Sequence, residues 1–307
     1  MRIGLPGGGT TVEQIVRQAE RAEAEGFSSL WYASAVANDP LVAIAIAGRA
    51  TSSIELGTGV LQTYTCHPAL LAARAAAVSS AIGGGNRFTL GVGPSHRPVI
   101  EERLGLSYET PGRHTEEYVQ VLGPLLRGEP VSFAGEEFRV NAGPPVLPDG
   151  TEIGLLVAAL GPRLLRVAGQ YTAGTILWMA NATAIQEHVA PRIRRAVGER
   201  QAAPRIVAGL PVAVHDDVAE ARSTAAEQFG GYGALPNYQG IFRRGRIAGP
   251  ADAAIVGTEA AVAAQINDVI AAGATDVWAA PFAVGADRSA SRARTRALLR
   301  ELATEGA

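Results

Sequence analysis

Apolar positions along this chain keep two rhythms in alternation. "RIGL" (2–5) runs into "TVEQIVRQAERAEAEGF", where Val12, Ile15, Val16, Ala19 and Ala22 recur at helical spacing and predict one buried stripe. "SSLWYA" (28–33) precedes an alanine-rich helix from about Pro40 to Thr51, and "IELGTGVL" (54–61) precedes one that begins near Pro68. "RFTLGVG" (87–93), "EIGLLVAA" (152–159), "AGTILWM" (173–179), "PRIVAGLPVAV" (204–214) and "TDVWAAPF" (275–282) continue the series. Apolar strands separated by helices are parallel and buried on both faces. Eight such strand-to-helix steps in 307 residues predict an α/β fold of the (β/α)8 or TIM-barrel type, rather than an open doubly wound sheet.

Two segments interrupt the rhythm. Residues 128–150, "GEPVSFAGEEFRVNAGPPVLPDG", read as a short β-ribbon with proline-rich turns after the fourth helix. Residues 229–257 hold Tyr232, Tyr238, Phe242 and three arginines in a glycine-rich setting after the seventh strand and its helix, where they can fold over a barrel mouth. Neither has the apolar content of an independent unit, so residues 1–307 are expected to form one domain.

Charge and composition narrow the chemistry. A net charge of −2 offers no electrostatic footprint for nucleic acid or an acidic membrane surface. All 27 basic residues are arginine, which excludes a Schiff-base lysine and a P-loop lysine. Cys66 is the single cysteine, so no internal disulfide forms, and no His/Cys spacing suits zinc. The start "MRIGLPGG" is no apolar leader and no run reaches membrane-spanning length, so a soluble, cytoplasmic protein is expected.

In a parallel barrel the chemistry sits at the C-terminal strand ends. Those ends bring Ala33–Ala35, Gly59–Tyr64, Gly93–Arg97, Ala158–Gly161, Trp178–Asn181, His215 and Pro281–Phe282 to one rim. The rim is small, apolar or weakly polar, with no carboxylate cluster and no metal-ligand set. Such a mouth suits a large flat cofactor that brings its own chemistry. "GVGPSH" lacks the third glycine of a dinucleotide fingerprint and is broken by Pro94. His96 leaves a strand end directly, and an imidazole there serves either as a proton carrier or as a bond to loop backbone. His67 reads as a helix-entry residue before Pro68, and His188 and His215 as surface residues. "AALGPRLLRVAG" (158–169) enters a helix through Gly161 and Pro162, whose free N–H groups suit a phosphate or carboxylate or form an ordinary turn. "GGGN" (83–86) lies at the opposite end and reads as a helix stop.

Several stretches resemble the luciferase-like family of flavin and deazaflavin oxidoreductases, and most of all its branch using coenzyme F-420, an 8-hydroxy-5-deazaflavin. They are "AEAEGFSSLWYA" (22–33), "IELGTGVLQTYTCHPALLA" (54–72), "RFTLGVGPSHRPVIEERLG" (87–105), "GRHTEEYVQVLGPLLRGEPVSFAGEEFRV" (112–140) and the late segment 249–282. The resemblance implies a cofactor ring across the C-terminal mouth. It also implies a bulge with a non-proline cis peptide at the end of the third strand, which maps onto Gly59 and Val60. Cofactor contacts would map onto Ser34, Gln62 and Thr63, onto Gly93, Pro94 and Ser95, and onto the turn Ala158, Ala159, Leu160 and Gly161, near the cofactor phosphate. His96 is the expected catalytic residue, as proton donor or as an orienting hydrogen bond. Tyr64, Trp178, Tyr232 and Tyr238 are the expected substrate pocket, and no metal is expected.

The chain departs from relatives that carry acidic and histidine residues after the second strand, since Ala33, Ser34 and Ala35 stand there. Where some relatives have a glutamate in the fourth-strand loop, this chain has His96. The implied activity is hydride transfer between F-420 and a small organic substrate with an activated C=C, C=N or C=O bond. An FMN-dependent monooxygenase fed by a separate reductase is the alternative, and a non-catalytic flavin-binding protein a remote one. A homodimer is expected, with the small faces of helices 40–50 and 68–82 permitting close packing.

Overall fold

A computed structural model describes residues 1–34, 39–198 and 203–305. Its strands are β1 (Arg2–Gly7), β2 (Ser29–Tyr32), β3 (Glu55–Thr58), β4 (Leu61–Gln62), β5 (Phe88–Gly93), β6 (Val131–Ala134), β7 (Arg139–Ala142), β8 (Ile153–Ala158), β9 (Gly174–Trp178), β10 (Arg205–Val214), β11 (Ile255–Gly257) and β12 (Asp276–Pro281). The order β1-β2-β3-β5-β8-β9-β10-β12 closes on itself through β12 and β1, and every pairing in that ring is parallel. The fold is therefore the TIM barrel that the eight apolar runs predict.

Helices return the chain between strands, and proline repeatedly opens them: Pro40, Pro68, Pro111, Pro162 and Pro236 each stand in a first turn. There the missing N–H is no loss and the fixed φ suits the helix. His67 is the helix-entry residue expected, its Nδ1 accepting from the Ala69 N–H at 3.3 Å. Ile15, Ala19 and Ala22 form the buried stripe of helix Val12–Ala24. Val12, read as part of that stripe, is instead the first residue of the helix and 53% exposed.

Inside the ring, side chains stack in layers. At the N-terminal end Arg2 and Arg205 clamp Glu55 and Asp276; Arg205 reaches Glu55 at 2.6 and 2.8 Å and Asp276 at 2.6 Å. Above this plug lie Trp31, Leu156, Ile176, Val207 and Trp278. The indoles fit because glycine faces them: a Cβ on Gly57 would fall 2.4 Å from Trp31, and one on Gly209 2.6 Å from Trp278.

Both insertions are present. β6 and β7 form an antiparallel ribbon, held to helix Pro111–Leu126 by Glu117, whose carboxylate accepts the N–H groups of Glu136, Glu137 and Phe138 at 3.0, 2.8 and 3.0 Å. Segment 229–257 is mainly helical, with helix Pro236–Arg244, and it ends in a strand that the sequence pattern does not announce. That strand, β11, pairs with Val212–Val214, where β10 runs on past the end of its pairing with β9. "GGGN" is a turn between helix Pro68–Ala81 and β5, with positive φ at Gly83, Gly84 and Gly85. No helix among the described residues is long and apolar enough to cross a membrane.

Candidate functional site

The mouth starts from an irregularity in the third strand. Gly57 pairs with Thr89, but Leu61 pairs with Val92, so residues 58–60 span what residues 90–91 span on the neighbour. One extra residue makes this a bulge, and its Gly59–Val60 peptide bond is cis. Thr58 pins it from below: its Oγ1 donates to the Gly91 carbonyl at 2.7 Å and accepts from the Gly91 N–H at 2.8 Å. A Cβ on residue 91 would lie 2.1 Å from the Thr58 carbonyl oxygen, so only glycine lets the two strands approach this closely.

Val60, Ala158 and Trp178 top the interior cluster, each only partly buried. Together they form a small apolar platform at the C-terminal strand ends. Polar groups border it. Gln62 closes β4 opposite Gly93 and donates from Nε2 to the Ser95 hydroxyl at 3.2 Å. Ser95 has φ 63°, the left-handed region that disfavours a side chain. It is held there by Gln62 and by Tyr108, whose hydroxyl donates to the Ser95 carbonyl at 2.7 Å. Pro94 is buried, and Ser34, after β2, is half-buried. Ala35 lies outside the described residues.

His96 therefore leaves the rim in a set direction. Its ring centroid lies 5.7 Å from that of Tyr238, and Tyr238 lies 4.8 Å from Tyr232, which lies 6.2 Å from Trp178. Four of the anticipated residues, far apart in sequence, thus form one line of rings from the fourth-strand loop to the end of β9. Burial holds the His96 pKa below the usual imidazole value and pushes both tyrosine hydroxyls up. His96 is accordingly neutral near pH 7.

Tyr64 does not join that line. It stacks on His114 at 3.9 Å with 5° between ring planes, and sits 5.5 Å from Tyr108. Burial, aided by the Glu137 carboxylate, pushes its hydroxyl up to about 12. Thr63, in the turn beside it, is buried, and its hydroxyl has no hydrogen-bond partner among the described residues. The anticipated ring-bearing residues thus fall into two groups, His96, Trp178, Tyr232 and Tyr238 in the ring line and Tyr64 in the stack with His114.

The turn Ala158–Gly161 leads from β8 into helix Pro162–Tyr171. Among the described residues no side chain caps this helix and a Cβ on Gly161 would meet nothing within 4 Å, so the amide end is open. His188, expected on the surface, is only 3% exposed and tucks beneath the turn, its Nε2 2.9 Å from the Leu160 carbonyl. Burial lowers its pKa, so the neutral ring donates Nε2–H to that carbonyl. His215 is half-buried and pairs with Glu220 at 2.8 Å. Burial raises the Cys66 thiol pKa.

Sequence reasoning passes over Tyr108 and His114, and places Asn181 on the rim without giving it a role. Asn181 accepts from the Ala184 N–H at 3.0 Å as a helix cap, and its Nδ2 donates to the Gly245 carbonyl at 3.0 Å, fastening segment 229–257 to the rim. Its position before a helix is a legible capping signal. Tyr108 and His114 carry no comparable local mark. Among the described residues no group of three or more His, Cys, Asp or Glu is placed to hold a metal ion.

The sequence profile of the luciferase-like monooxygenase family matches residues 2–276. An F-420-dependent hydroxymycolic acid dehydrogenase of Mycobacterium tuberculosis is 31% identical over 195 residues, 57% of this chain and 51% of its own. A 4-hydroxyprotoasukamycin monooxygenase of Streptomyces nodosus subsp. asukaensis is 32% identical over 178 residues, 55% of this chain and 47% of its own. The chain spans about half the length of the curated relatives it matches. The coenzyme F-420-dependent tetrahydromethanopterin reductase of Methanopyrus kandleri superposes with a TM-score of 0.71 at 19% identity, covering 91% of this chain and 92% of that one. This last likeness concerns the fold.

Proposed function

Because the chain belongs to the luciferase-like monooxygenase family, we propose that its barrel mouth holds a deazaflavin ring, that of coenzyme F-420, and that the protein is an oxidoreductase acting on a small organic molecule. The observation that carries this reading is the platform of Val60, Ala158 and Trp178, apolar and bordered by Gln62, Ser95 and His96. A flat heteroaromatic ring fits such a surface: its faces need apolar contact and its edge needs a few hydrogen bonds. When bound, that ring supplies two-electron hydride chemistry to an activated C=C, C=N or C=O bond.

The chain's own residues do the rest. Gln62 and the Ser95 loop orient the ring edge, and the open amides after Gly161 receive an anionic group of the cofactor. His96, neutral at pH 7, donates or accepts a hydrogen bond at the reacting end of the substrate rather than acting as a standing cation. Tyr232, Tyr238 and Trp178 wall the substrate side with rings, which favours apolar or aromatic substrate bodies. A second copy of the chain docks on the small faces of helices Pro40–Ala50 and Pro68–Ala81, where Val42 and Leu70 stand exposed.

Incubating the purified protein with F-420 or with FMN, then desalting and recording retained absorbance, tests the proposal. F-420 should be retained and FMN should wash out. The reverse result favours the second reading, an FMN-dependent monooxygenase served by a separate reductase, which the likeness to the Streptomyces monooxygenase supports. Retention of neither ring rejects both.

A further inference from the structure

Arginines on the outer layer of this barrel repeatedly meet acids: Arg163 and Arg166 share Glu116, Arg246 takes Glu187, and Arg294 takes Glu259 and Asp216. The start of the last helix, Arg288–Glu305, departs from that habit at Arg288 and Arg292. Arg288, Arg292 and Arg296 recur every fourth residue and so share one face, although like charges at this spacing oppose helix formation. Arg288 also stands in the first turn, where the helix dipole disfavours a cation. Among the described residues neither Arg288 nor Arg292 has an ion-pair partner. The nearby Asp287 carboxylate is turned to the Ser289 and Ala290 N–H groups, at 3.1 and 2.9 Å.

These side chains converge. A cleft of about 520 Å³ lies between this helix and helix Val12–Ala24, lined by Arg21, Arg288, Ser289, Arg292, Ala293 and Arg296. Glu25 takes Arg21 Nε at 2.7 Å and Arg296 Nε at 2.6 Å, fixing two guanidinium groups from opposite walls. The Arg296 guanidinium lies 5.2 Å from the centre of the Phe27 ring, which orients it further. Four guanidinium groups line the cleft, with Glu25 pairing two of them and Asp287 engaged by backbone N–H groups at its edge, so the cleft carries an excess of positive charge on a chain whose net charge is −2.

We infer that this cleft is a binding site for a small polyanion, one carrying adjacent phosphoryl or carboxylate groups. Guanidinium forks match both groups through paired N–H···O bonds. A single exposed ion pair is screened by salt and gains little, so the ligand that profits must bridge several arginines at once. The cleft is made by outer-layer helices alone and shares no residue with the barrel mouth, so its occupation does not depend on the cofactor proposed above.

Calorimetric titration of the full chain with inorganic triphosphate, and separately with citrate, tests the assignment. At about 50 mM salt, saturable one-site binding is expected, and it should weaken steeply as salt rises. The double variant Arg288→Ser, Arg292→Ser removes exposed side chains only, and should bind at least about tenfold more weakly. Arg127→Ser, on another face, should bind as the natural chain does. Tighter triphosphate binding assigns a phosphoryl ligand and tighter citrate binding a carboxylate ligand, and either supports the site. Equal binding by the natural chain and the double variant, absence of saturable binding, or binding of single-stranded DNA in preference to both small anions overturns it.

Discussion

Ser95 decides where His96 can go. A serine at φ 63° lies in a region that costs a residue with a side chain about 1 kcal/mol or more, and two hydrogen bonds hold it there. Replacing Tyr108 by Phe removes the bond to the Ser95 carbonyl. We expect a loss of about 1 kcal/mol in chemical unfolding, together with weaker ring retention. His96→Ala should cut turnover at least about tenfold while the ring still binds. Unchanged turnover would remove His96 from the reaction. Because burial lowers its pKa from 6.5, the ring stays neutral at and above that pH. Turnover should therefore be level from pH 8 to the ordinary imidazole value and fall only at lower pH, and the acid limb should vanish in His96→Ala.

Two elements shape the mouth around these residues. The bulge between β3 and β4 lifts Val60 onto the platform, and it exists only because residue 91 has no side chain. Gly91→Ala must push the strands apart, so destabilisation of about 1–3 kcal/mol is expected, measured by urea unfolding. If Gly91→Ala is as stable as the natural protein, the close approach is not what holds the bulge. Segment 229–257 carries Tyr232 and Tyr238 and is fastened by Asn181. Asn181→Ala loses a helix cap and the bond to Gly245, and should lower stability by about 1 kcal/mol. Limited proteolysis should then cut first within 229–257. Cleavage elsewhere would show that Asn181 is not the fastening.

At the scale of the whole barrel, the N-terminal plug and the helical layer respond to acid. Arg205 satisfies Glu55 and Asp276 together, so Arg205→Ala leaves two mostly buried carboxylates with Arg2 as their one cationic partner in the plug, beside the hydroxyls of Thr89 and Thr275, at a cost of about 3 kcal/mol in unfolding free energy. Burial pushes the Asp276 carboxyl up, but bonds from Arg205 pull it further down, below its ordinary value. Glu23 behaves alike: burial raises it, yet the N–H groups of Ile54, Ser53 and Ser52 bring it down to about 2. Groups lowered by folding contribute stability that is present above their unfolded values, 3.8 and 4.5, and is lost as pH falls through the folded ones. Urea midpoints should thus fall from about pH 4.5 toward pH 2, and Glu23→Gln should flatten the upper part of that descent.

The eight barrel strands are legible in the sequence because burial on both faces demands uninterrupted apolar runs, and the helices because burial on one face demands period. The rim residues follow, since a parallel barrel presents its C-terminal strand ends together. β11 is not legible, because three apolar residues between a short helix and a turn carry no period of their own. Neither is the burial of His188. Helical spacing says which face turns inward, but its partner is a carbonyl 28 residues earlier, brought within reach only when the layers close. Closure likewise separates Tyr64 from Tyr232, Tyr238 and Trp178 and sets His96 beside Tyr238. Local periodicity records what each segment must bury. Which distant group it meets there is decided only when the ring of strands is complete.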